Sequence, residues 1–159
     1  MPEIDILLIV ILGIALFKKV YKNKKTRVFN DYDKKCSLAY RREDWKDIID
    51  ESQKILMVVS ISDKKKIDIY LKLAYSYYCL SNYEEASRYY LLLYNLAKKI
   101  NRTNNLNVEQ VICALDSLKN IGKMNEATYL HNEILNYRNT KKSKKKLLDY
   151  YLGKQISEL

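Results

Sequence analysis

The chain has 159 residues, a formal net charge of +10, three glycines and one proline. So few turn formers leave no chemistry for hairpins, and no strand-like alternation bounded by Gly or Asn-Gly appears, which excludes a sheet-based fold. One histidine and three cysteines without a Cys-x-x-Cys pair exclude a zinc site and leave little for acid–base catalysis.

The first element is an apolar run of twelve residues, Ile6 to Phe17, followed by Lys18, Lys19, Lys22, Lys24, Lys25 and Arg27. As a helix the run covers only ~18 Å of a ~30 Å hydrocarbon core. Counting Ile4 through Tyr21, with Lys18 and Lys19 snorkelling to the headgroups, brings it close to a full span. A cleaved signal peptide is excluded, because the leading charges are Glu3 and Asp5 and no small-residue cleavage site follows. The expectation is a single transmembrane helix with its N-terminus outside and residues 22–159 in the cytoplasm, by the positive-inside rule. The alternative is an apolar helix docked on the rest of the chain. About 135 residues remain behind it, enough for one domain with a modest core.

Behind the anchor, apolar residues recur at helical spacing in short segments. Asp33 to Tyr40 is a first, weak one. Trp45, Ile48, Ile49, Ser52, Leu56 and Val59 mark a clear amphipathic helix, and Ile67 to Tyr78 the next. Tyr83 to Ile100, Val108 to Leu118 and Met124 to Ile134 follow, and Leu147 to Leu159 closes the chain. Asn82 and Asn107 stand three residues before Glu85 and Gln110, the spacing of a capping box. Asp44 and Ser143 suit helix starts, and Gly122 suits a left-handed helix end. Cys36, Cys79 and Cys113 each fall in an apolar helical pattern and read as free buried thiols. No Gly-rich phosphate loop or serine nucleophile motif is present, so no catalytic residue, cofactor or metal ligand is assigned.

Tyr70-x2-Leu73-Ala74-x2-Tyr77, then Ala86 and Tyr90, resembles the tetratricopeptide repeat pattern W-x2-L-G-x2-Y…A-x3-F. Ala74 and Ala86 stand where that family places small residues at a close helix crossing, with Ser87 beside them expected on the exposed side. A further copy aligns at Val111, Ala114, Leu115 and Leu118, then Ala127. A degenerate earlier one aligns at Tyr32, Cys36 and Ala39, then Ile48. The periods, Ile48 to Ala86 and Ala86 to Ala127, are 38 and 41 residues against the family's 34. The chain thus looks like a small membrane-anchored member of the tetratricopeptide family. That resemblance implies an all-α fold: an anchor helix over 1–21, a basic juxtamembrane linker over 22–28, about three helix pairs over 29–138 and a capping helix over 143–159.

Resemblance also implies a scaffold whose concave face, lined by the first helix of each pair, holds a protein or peptide partner. The matching positions are Tyr40 and Arg41 in the first pair, with Asp33 and Ser37. In the second they are Asp68, Leu71, Lys72, Tyr75 and Tyr78, and in the third Glu109, Ile112, Asp116 and Lys119. The Lys and Asn that clamp a terminal carboxylate in the family's chaperone-binding members are absent, since Leu71 and Tyr75 stand there. A more apolar, tyrosine-lined groove is expected, against the plainer reading that Tyr75 and Tyr78 are packing residues. Two basic patches, residues 18–35 and Arg138 to Lys146, keep a helical-repeat protein that binds RNA or anionic lipid as the alternative, with a peptide-sensing regulator beside it. Nucleic acid is the weaker partner, because no stacking aromatics interleave the lysines.

Overall fold

A computed structural model describes residues 2–58, 60–101 and 107–136. Among these residues every regular element is a helix: α1 (Pro2–Arg41), α2 (Trp45–Val58), α3 (Asp63–Cys79), α4 (Tyr83–Lys99), α5 (Val108–Asn120) and α6 (Met124–Asn136). The all-α expectation is met. The expected capping helix over 143–159 and the Lys141–Lys146 run lie outside the described residues.

The helices begin and end where local chemistry directs. Asn107 and Gln110 form a complete capping box: the Asn107 side chain accepts from the α5 backbone while Gln110 Oε1 accepts from the Asn107 N–H at 3.0 Å. At α4 only half of the box forms. Asn82 Oδ1 accepts from the Glu85 N–H, but the Glu85 carboxylate turns to Arg88, 2.9 Å away. The turns α1–α2, α3–α4 and α5–α6 share one geometry, with Glu43, Ser81 and Gly122 in the left-handed region at φ 56°, 57° and 74°. After each, an N–H reaches back five residues: Asp44 to Ala39, Asn82 to Tyr77 and Lys123 to Leu118, at 2.8–2.9 Å. These three turns recur at 38 and 41 residues.

Core positions recur with the same spacing. Ile48, Ala86 and Ala127 are buried, as are Cys36, Ala74 and Leu115, and Ile55, Leu93 and Ile134. Each helix packs on its chain neighbours, and α3 also meets α5. Side chains tie the first helices together: Lys72 of α3 pairs with Asp33 of α1 at 2.8 Å, and Tyr78 of α3 donates to Asp116 of α5 at 2.8 Å. Ala74 and Ala86 are fully buried, as a close α3–α4 crossing requires. Ser87 is a correction: it is buried, and its hydroxyl donates to the Glu84 carbonyl at 2.8 Å, which lets a polar residue enter the packed face.

The N-terminal part differs from expectation. Residues 22–28, read as a linker, are helical, and α1 runs unbroken for 40 residues, ~60 Å. Lysine and arginine are good helix formers, and without Gly or Pro nothing stops the helix there. Among the described residues no helix is long and apolar enough to cross a membrane. The apolar run alone is too short, and the charges of Asp5, Lys18 and Lys19 bound it. Leu12, Ile14, Leu16, Phe17, Val20 and Tyr21 are nevertheless exposed, so none of the described helices covers these turns. The docked-helix alternative finds no support at these positions.

Candidate partner-binding groove

Between α1, α3 and α5 lies a cavity of about 340 Å³, lined by Tyr40, Ile48, Leu71, Lys72, Tyr75, Ser76, Asn107, Glu109, Gln110 and Cys113. A second, of about 330 Å³, shares Tyr40, Ile48 and Lys72 with it and adds Cys36, Ser37 and Arg41. Together they make one groove along the first helices of the three pairs. Its wall at the α1–α2 turn is aromatic. The Trp45 ring stands edge-on to both Tyr40 and Tyr75, with centroids 5.5 and 5.6 Å away, and Tyr40 lies 6.4 Å from Tyr75. Tyr75 keeps 37 % of its surface exposed, which places it at the mouth rather than in the core.

Polar groups inside the groove are partly committed. Lys72 lies between the Asp33 carboxylate and the face of the Tyr32 ring, 4.5 Å from its centroid, so its charge is fixed in place. The Cys79 thiol one turn further along α3, together with partial burial, pushes the Tyr75 hydroxyl up to about 12. It therefore remains a hydrogen-bond donor at any physiological pH. Burial pushes the Cys36, Cys79 and Cys113 thiols up as well, which keeps them protonated and poorly nucleophilic. Among the described residues no cluster of three His, Cys, Asp or Glu side chains could hold a metal ion. The groove offers an apolar floor, aromatic faces, phenol and cationic donors, and the Glu109 and Gln110 acceptors.

Of the sequence-derived positions, Tyr40, Arg41, Leu71, Lys72, Tyr75 and Glu109 line the groove. Tyr78 and Asp116 are hydrogen-bonded to one another and brace α3 against α5, and Tyr78 also packs edge-on to Tyr83. Ile112 is half-buried against the core, while exposed Asp68 and half-buried Lys119 fall outside both cavities. Sequence reasoning missed Cys36, Ile48, Ser76, Asn107, Gln110 and Cys113. The signal for Cys113 was present, since shifting Lys72 by the 41-residue period lands on it. Asn107 and Gln110 read as a helix cap, and they serve as cap and groove rim together. No protein-family model, curated protein or solved structure matches the chain.

Proposed function

We propose that this chain is a non-catalytic scaffold of tetratricopeptide type, related in architecture to that family, which holds a peptide or partner helix in the α1–α3–α5 groove. It sits at a membrane, with the exposed apolar turns of α1 inserted from one side and the remaining helices in the aqueous phase on the side of the anionic leaflet. The groove itself carries the reading. Three successive first helices contribute to it, its floor is apolar, and the aromatic group of Tyr40, Trp45 and Tyr75 stands beside a fixed cation. Aromatic anchors with a few convergent polar groups are what peptide grooves use to gain affinity at low entropic cost. The three turns of common geometry at 38- and 41-residue spacing support the repeat assignment. The pushed-up thiols and unactivated hydroxyls favour binding over chemistry.

Peptide display against the detergent-solubilised full chain tests this. Selected peptides should lose on the order of tenfold or more in affinity on Tyr75→Ala or Lys72→Ala, the cost of a central anchor. Tyr129→Ala, an exposed tyrosine on α6 away from the groove, should leave them unchanged. Peptides indifferent to Tyr75 and Lys72 while the variants stay folded would sink the groove reading.

A further inference from the structure

We infer that the end of the helical stack nearest the apolar turns of α1 is a docking surface for an anionic phospholipid bilayer, with the lysines of α3's first turn as its second half. This rests on the membrane arm of the proposed function and adds a surface that lies 40 residues beyond the α1 lysines in sequence. Because α1 has no break, whichever end of the stack lies next to its apolar turns must face the membrane. Contacts identify that end. Lys25 donates to the Ser60 carbonyl in the α2–α3 connection, and Lys65 Nζ lies over the Phe29 ring, 3.6 Å from its centroid. The fold therefore sets Lys64, Lys65 and Lys66 beside Lys22, Lys24 and Arg27.

Charge on this end is largely uncompensated. Asp63, the acid of the same turn, is taken by Lys99 at 3.3 Å. Among the described residues none of Lys22, Lys24, Arg27, Lys64 and Lys66 is ion-paired. Folding accounts for Lys65, which covers the Phe29 ring, but gives no reason for Lys64 and Lys66, since the positive end of a helix dipole disfavours cations. No other described helix opens this way: α4 begins with Glu84 and Glu85, α5 with Glu109, α6 with Glu126, and α2 balances its single Lys46 with Asp47. A local rule broken at one place marks a functional constraint.

Distance agrees. From Phe17, the last residue of the apolar run, to Phe29 is twelve residues, ~18 Å of helix. A headgroup layer of ~6 Å leaves the stack within about a Debye length of the lipid charges, ~10 Å at 0.1 M salt. Exposed Tyr21, between Lys19 and Lys22 at the end of the apolar turns, takes the interfacial place usual for tyrosine. These features of one end favour lipid over a soluble polyanion such as RNA.

Vesicle flotation of the full chain tests the inference, using phosphatidylcholine vesicles with and without phosphatidylglycerol. The wild type should bind the anionic vesicles about tenfold or more tightly, and the excess should fade with salt. Lys64→Gln/Lys66→Gln, which leaves Lys65 on the Phe29 ring, should lose most of that excess, keep its binding to neutral vesicles and melt no lower. Lys64→Arg/Lys66→Arg should retain the excess. A Gln variant that binds anionic vesicles as tightly as wild type overturns the inference, as does a loss confined to single-stranded RNA. Equal wild-type binding to both vesicles overturns only this inference, whereas binding to neither removes the membrane arm beneath it.

Discussion

The two phenylalanines of this chain stand on one helix, twelve residues apart, and meet opposite surroundings. Phe29 is 3 % exposed and Phe17 is 73 % exposed. Around Phe29 the apolar residues form a stripe, with Tyr32, Cys36 and Ala39 following at three- and four-residue steps, and α2 and α3 cover that one face. Over the turns that lead to Phe17, from Ile6 on, the helix is apolar on every side, so packing from one side could not bury it. Six large apolar side chains, Leu12 to Tyr21, remain uncovered. Moving them out of water would contribute on the order of 10 kcal/mol, comparable to the stability of a whole domain. The contrast teaches that width of the apolar face, not hydrophobicity itself, decides which part of a helix the rest of the protein can cover.

The strongest way to break this comparison is to exchange what each phenylalanine contributes. Phe29→Ala should destabilise the helical stack by about 3–5 kcal/mol, the cost of truncating a buried aromatic. Phe17→Ser should move the thermal midpoint by no more than an exposed surface change does, about 0.5 kcal/mol, while weakening binding to vesicles. Calorimetry or circular dichroism of the detergent-solubilised variants reads both. A large loss of stability in Phe17→Ser would mean that the N-terminal turns belong to the folded core, and the division of α1 would fail.

How much of this was legible beforehand follows the same physics. Amphipathic stripes with good caps, such as Tyr83–Lys99 behind Asn82, could be read because a periodic face and a side-chain cap are both local signals. The length of α1 could not, because a run of lysines reads as a solvated linker although each residue is a willing helix former. The short turns after Tyr40 and Leu80 could be read, but their left-handed residues, Glu43 and Ser81, were hidden because neither residue type advertises that conformation as Gly122 does. In the groove, Tyr75 and Lys72 followed from repeat spacing, but the division of labour between exposed Tyr75 and bracing Tyr78 depends on where Asp116 of the next helix lies. That is a tertiary fact with no local trace.

A smaller effect sharpens the contrast at the folded end of α1. There the helix stops in a turn at Glu43, φ 56°, held by the Asp44 N–H to the Ala39 carbonyl at 2.9 Å. A side chain in the left-handed region costs about 1–2 kcal/mol, and glycine's extra freedom in the unfolded chain offsets part of the relief. Glu43→Gly should therefore stabilise by about 0.5–1 kcal/mol, seen as a higher denaturant midpoint at unchanged slope. A lower midpoint would show that the Glu43 side chain supports the turn in a way its backbone geometry does not reveal.

The smallest effect concerns how the folded half of α1 is tied to α2. Lys35 of α1 and Lys54 of α2 both hydrogen-bond the Glu51 carboxylate, at 2.9 and 3.0 Å, and hold it below the ordinary carboxylate range. The basic residues of the protruding half find no such partner among the described residues. A carboxylate whose pKa is lower in the folded state adds stability that is present above its unfolded pKa, about 4.3, and lost as pH falls through the folded value. Both lysines are largely exposed, so screening keeps the gain small. The thermal midpoint of the wild type should thus fall more steeply with acid below about pH 4.5 than that of Glu51→Gln, with the two curves separated at neutral pH. Raising the salt should narrow the gap. Parallel curves across the whole acid range would mean that the Lys35–Glu51–Lys54 bridge contributes nothing to holding this end of α1 in place.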